Sequence, residues 1–150
     1  MSDSTSAASK CAAGTLRRAT RSIARVYDVR LAPAGLTNTQ FSILRAIERR
    51  DEPVTLPELA DELVFERTSL YRSLEPLARD GLIELSNVGP RLKQVALTAK
   101  GARRIAKALP LWTAAQEEFV ERFGRAAWND VAAQLTEIVD IGRAMPAEPK

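Results

Sequence analysis

A mainly α-helical chain with one small β-hairpin is predicted by three features of the sequence. Two short helices joined by a tight turn are written between Thr55 and Arg79, and a turn-rich basic loop between two apolar runs follows them directly. Long amphipathic stripes occupy both ends of the chain. In that order the elements make a winged helix-turn-helix domain with terminal dimerisation helices. The 150 residues supply one domain's worth of chain, and a hydrophobic content of 45% can fill a core.

Residues 1–9 are rich in serine and alanine, carry no apolar core, and are read as a disordered lead-in; residues 145–150 are read as a flexible tail. Neither a signal peptide nor a membrane span is written there, and a cytoplasmic location is expected. Leu16, Thr20, Ile23, Tyr27 and Leu31 mark an amphipathic helix from about residue 10 to 32, within a dimerisation segment 10–34. At roughly 30 Å it is longer than one small domain needs to cover itself. Its Arg17, Arg18, Arg21 and Arg25 read as a solvated face or dimer rim before a contact.

Residues 35–101 form the expected DNA-binding domain. Thr55, Pro57 and Glu58 give a threonine cap, a proline in the first turn and a glutamate that can reach back to the cap. Leu56, Leu59, Ala60 and Leu63 then give one apolar stripe, and Val64 and Phe65 make the turn. A second helix starts near Glu66 and buries Leu70, Leu74 and Leu77, leaving Arg67, Thr68, Ser69, Tyr71 and Arg72 on its outer face. Those side chains have the donors, acceptors and reach needed at base edges in a major groove; a solvated helix face is the plain alternative. Pro76 removes one backbone donor near the helix end, where a bend is expected. Gly81 stops the helix, Leu82–Leu85 and Val95–Leu97 read as paired strands, and the loop between them ends in Arg91 and Lys93. An arginine at a hairpin tip can enter a narrow minor groove.

Residues 102–144 are read as C-terminal dimerisation helices. Ile105, Leu109, Trp112, Phe119 and Phe123 mark one, Trp128, Leu135, Ile138 and Gly142 the other, with Gly124 between them. Pro110 either kinks the first or divides it in two. These segments have too few apolar residues for a globule of their own, and pairing with a second copy would bury their stripes.

Charge follows the same division. Net charge is only +3, but residues 66–107 hold nine Lys or Arg against four acids, and residues 108–150 hold four against seven. Catalysis has little to stand on. Without histidine there are no Ser-His or Cys-His dyads and no histidine metal sites, and no glycine-rich phosphate loop follows a strand. Glu117-Glu118 and Asp51-Glu52 are adjacent pairs whose side chains diverge. No catalytic residue, metal or cofactor is expected.

The run Glu58-Leu59-Ala60, then Glu66 through Ile83, then Arg91 and Val95-Ala96-Leu97-Thr98-Ala99-Lys100-Gly101, resembles the MarR family of bacterial transcriptional regulators. Gly35-Leu36-Thr37 and Gln40-Phe41, ahead of the second helix, extend the resemblance to roughly residues 15–143. It implies an obligate homodimer on an inverted repeat of duplex DNA, recognition helices in two major grooves and wings in the flanking minor grooves. It also implies repression relieved by a small aromatic or apolar ligand or by oxidation. The family's wings commonly carry an aspartate where this chain has Gly89, so Arg91 lacks that bidentate partner. Tyr71 stands where Ser or Thr is frequent.

The residues themselves offer two regulatory candidates. Tyr27 and Trp112, with Arg104 as counter-charge, suggest a cleft for an aromatic acid, against core packing as the alternative duty. Cys11 beside Lys10 at a helix start suggests a redox-active thiol, against a passive small residue. The competing function is a winged-helix module that binds another protein without specific DNA binding.

Overall fold

Six α-helices and three short strands follow one another through residues 11–145, the part of the chain that the computed structural model describes. Lys10, the expected lead-in and all of the expected tail but Met145 lie outside the described residues.

Helix α1 (Ala12–Leu31) opens on Cys11, whose Sγ accepts from the Gly14 amide at 3.5 Å. Tyr27 and Leu31 are buried near its end. A 3₁₀ turn, Ala32–Ala34, leads to Gly35 at φ 71°, a conformation that glycine adopts without steric penalty. Helix α2 (Asn38–Glu48) starts in a capping box. The Gln40 amide donates to Thr37 Oγ1 at 3.2 Å, and the Thr37 amide donates to Gln40 Oε1 at 3.0 Å. The Asn38 amide donates to Asp28 at 2.7 Å, which fixes the start of α2 on α1.

The expected capping box at Thr55 is present. The Thr55 amide and hydroxyl donate to Glu58 at 3.0 and 2.7 Å, and the Glu58 amide donates back to Thr55 Oγ1 at 3.4 Å. These bonds hold the Glu58 carboxyl below the usual carboxylate range. Helix α3 spans Leu56–Leu63 and α4 spans Arg67–Arg79. Between them Val64 takes the left-handed conformation at φ 55°, the one non-glycine residue with positive φ among those described. Helix α4 continues through Pro76 to Arg79, and Gly81 follows at φ 73°.

The sheet has three strands rather than the two expected. A two-residue strand β1 (Val54–Thr55) pairs with β3 (Lys93–Leu97), which pairs on its other edge with β2 (Ile83–Asn87), all antiparallel. So short a strand has no periodicity of its own, and its partners Val95 and Gln94 lie some forty residues away. The hairpin also runs further into the basic loop than expected, because Asn87 pairs with Lys93 and the Val88 amide donates to the Leu92 carbonyl at 2.8 Å.

Leu59, Leu70, Leu74, Leu77, Leu82 and Val95 are fully or almost fully buried beneath this sheet and helix pair. Each side chain contributes about 1.5–3 kcal/mol relative to exposure. Thr98 closes the hairpin. Its hydroxyl donates to the Gly81 carbonyl at 2.7 Å and accepts from the Gly101 amide at 3.0 Å. Gly101 lies so near this strand that an added Cβ would stand 2.1 Å from the Leu82 carbonyl oxygen.

Helix α5 (Ala99–Phe123) runs unbroken past Pro110, so of the two readings for that residue, a division into two helices does not occur. Gly124, at φ 98°, separates it from α6 (Arg125–Ala144). Contacts divide the chain into one unit through Trp112 and another from Thr113. In the first, Trp112 packs its ring 6.5 Å from Tyr27 and 5.9 Å from Phe41, and burial pushes the Tyr27 hydroxyl pKa up. In the second, Phe119 and Phe123 meet Trp128 edge to face at 5.1 and 6.2 Å. Helix α6 buries no residue, and Ile138, Ile141 and Met145 are 44%, 52% and 67% exposed. Among the described residues no helix is long and apolar enough to cross a membrane.

Candidate nucleic-acid interface

The outer face of α4 follows from what its inner face must do. Leu70, Leu74 and Leu77 sit at helical spacing and are buried, so Arg67, Thr68, Ser69 and Arg72 are turned to solvent. Glu66 caps the helix without a side-chain bond, no acid stands in the first turn, and the amides there point outward with the positive end of the helix dipole. Neither Arg67 nor Arg72 makes an ion pair with another described residue. Both guanidinium forks are therefore uncommitted, in contrast to Arg50, which is bound to Glu62 at 2.5 Å.

The hairpin loop stands beside this helix. Arg91 is exposed next to Gly89 and Pro90, and no pairing with a described carboxylate orients it. Lys93 is placed differently from Arg91. Side chains alternate along β3, so Lys93 shares the inward side with Val95 and is half-buried. Its Nζ donates to the Tyr71 hydroxyl at 3.2 Å and stands 5.0 Å from the ring centre. Tyr71 itself is half-buried on the flank of α4. A cleft of about 410 Å³ opens between the two elements, with Leu56, Pro57 and Leu92 as apolar wall and Arg67, Thr68, Tyr71, Arg91 and Lys93 as polar wall. All seven residues expected at this surface except Ser69 and Arg72 line it, and those two lie on the same exposed helix face.

The regulatory candidates are placed less favourably. Trp112 shares a cleft of about 240 Å³ with Phe41, Ser42, Arg45, Arg49 and Leu63. The expected counter-charge, Arg104, lies elsewhere, its guanidinium lying over Gly35. Arg45 and Arg49, which no sequence pattern singles out, are the cations of the Trp112 cleft. Arg45 is paired with Glu48, and Arg49 with Glu62 at 3.5 Å. Cys11 is exposed at the start of α1.

A model of the MarR family matches residues 34–91. The transcriptional regulator MosR of M. tuberculosis, solved in complex with DNA, is 40% identical and superimposes with a TM-score of 0.81, over 90% of this chain and 98% of that one. The chain belongs to the MarR family. A second MosR structure gives 38% identity and a TM-score of 0.80, over 91% of this chain and 98% of that one. CouR of Rhodococcus jostii RHA1, bound to p-coumaroyl-CoA, shares the fold at 21% identity and a TM-score of 0.74, over 87% of this chain and 93% of its own. No curated protein sequence matches the chain. Within this MarR-family protein the family model ends at Arg91, so it spans α2 through α4 and most of the hairpin loop, where the exposed arginines lie.

Proposed function

We propose that the protein is a homodimeric transcriptional repressor that binds duplex DNA sequence-specifically, with α4 in the major groove of each half of an inverted repeat and the hairpin loop in the flanking minor groove. The observation that carries this reading is the face of α4: Arg67, Thr68, Ser69 and Arg72 are exposed and neither arginine is paired with a described acid, on a helix locked from behind by three buried leucines. A rigid helix with uncommitted forks is what direct base readout requires. The relative MosR, solved in complex with DNA, supports DNA as the partner. Residues 35–101 form the DNA-binding part in this proposal.

Residues 10–34 and 102–144 form the dimer. Helix α6, none of whose residues is fully buried within the chain, supports this assignment, as does the acidic balance of residues 108–150, which disfavours contact with phosphate. Two copies so joined would set recognition helices about 34 Å apart, one turn of DNA. The protein works in the cytoplasm and is not an enzyme. Relief of repression comes from an aromatic or apolar ligand in the Trp112 cleft beside Tyr27 and Phe41, or from oxidation of Cys11. Arg45 and Arg49 replace Arg104 as counter-charge for an acid.

The test is retention of fragmented genomic DNA by the purified protein at near-physiological salt, followed by sequencing. Enrichment of a few inverted repeats is expected. Featureless retention that disappears with added salt would mean charge attraction alone and would defeat the proposal.

A further inference from the structure

Lys93 spends its charge on Tyr71 before any DNA arrives. Its ammonium lies 3.2 Å from the phenol oxygen and 5.0 Å from the ring centre, and both residues are half-buried. An ammonium has donors and no acceptor, so in this bond the phenol oxygen must accept. One lone pair is thereby occupied, and the hydroxyl's own hydrogen is turned away from the lysine. The bond ties the first residue of β3 to the first turns of α4, across 22 residues of chain.

We propose that Lys93 is a positioning residue for Tyr71, and that the pair forms a fixed hydrogen-bond donor reading an acceptor on a base edge in the major groove. The inference rests on the DNA-binding reading and deepens it. Acceptors suited to such a donor are N7 and O6 of guanine, N7 of adenine and O4 of thymine, whereas cytosine presents only its amino donor there. The pair therefore discriminates against cytosine on the strand that Tyr71 faces. A lysine that only neutralised phosphate would weaken every sequence alike and carry no such preference. Arg67 and Arg72, which have no partner of this kind, read independently of it.

Selection of bound sequences from random duplexes tests this, run in parallel for the parent, Tyr71→Phe, Lys93→Met and Lys93→Arg, with thermal melts to confirm folding. Tyr71→Phe and Lys93→Met should each lose about 5–10-fold of discrimination at one and the same base pair in each half-site, as for a single lost base contact. Lys93→Arg keeps a cationic donor and should retain the parental preference, and the double variant should relax that position no further than either single one. If Lys93→Met selects the parental base everywhere and merely binds all sequences less well, or if Tyr71→Phe changes nothing, the pair does not read a base. If the parent selects no sequence at all, the sequence-specific reading of the whole protein fails, and this inference goes with it.

Discussion

Arg72 offers the sharpest test of the recognition face. It is exposed on the outer face of α4 and makes no ion pair within the described protein, so Arg72→Ala should change folding stability by no more than about 0.5 kcal/mol. Binding is another matter. A side chain that reads one base pair contributes about 1–3 kcal/mol, and a two-fold complex carries the loss twice. The expected penalty on an inverted repeat is then about 2–6 kcal/mol, from about 30-fold to about 10⁴-fold in Kd. Random duplex should lose far less, since there only a generic charge disappears. Fluorescence anisotropy on a retained genomic site and on a scrambled duplex, each across a range of salt, measures both quantities. Equal losses on the two DNAs, with a flattened salt slope, would refute the assignment and make Arg72 a phosphate contact.

Three further substitutions test how the fold holds this face. Val64→Gly should raise stability by about 1 kcal/mol in denaturant unfolding, because a β-branched residue at φ 55° is strained and its side chain, 62% exposed, packs little; a loss of stability would show that the turn is not strained. Gly101→Ala should destabilise by about 2 kcal/mol or more, because its methyl group would have to displace the Leu82 carbonyl, and an unchanged melting temperature would contradict that close approach. The capping bonds lower the Glu58 pKa, so their contribution is present above the ordinary value of 4.5 and disappears as pH falls through the lowered folded value. Melting temperatures of Glu58→Gln should therefore fall less steeply on the acid side than those of the parent, by a small amount for so exposed a group, and parallel curves would count against the capping role.

Local chemistry made much of this molecule legible. The Thr55–Glu58 box, the stop at Gly81 and the break at Gly124 are each decided within a few residues, and each stands where the sequence places it. The leucine spacing of α4 marks its buried face and the exposure of Arg67, Thr68, Ser69 and Arg72, whereas Tyr71, expected with them, is half-buried. What was not legible depends on distant partners. Strand β1 exists only through its pairing with β3, and the Lys93–Tyr71 bond joins residues whose separation along the chain gives no signal. Helix α5 survives Pro110 because one missing amide and a local clash, at about 3 kcal/mol, can be outweighed by packing. Placing Arg104 with Trp112 failed for a simpler reason, which the sequence did contain. Eight residues of helix separate them, roughly 12 Å along the axis and about 80° around it, so the guanidinium comes to lie over Gly35 instead.

The central claim is that this surface reads sequence and does more than attract negative charge. The most direct test is the ratio of dissociation constants for a retained inverted repeat and for a scrambled duplex of identical length and composition, measured in one buffer near physiological salt. Binding to the inverted repeat should be at least about 10³-fold tighter, with two chains per duplex. Equal constants that weaken together as salt rises would contradict it.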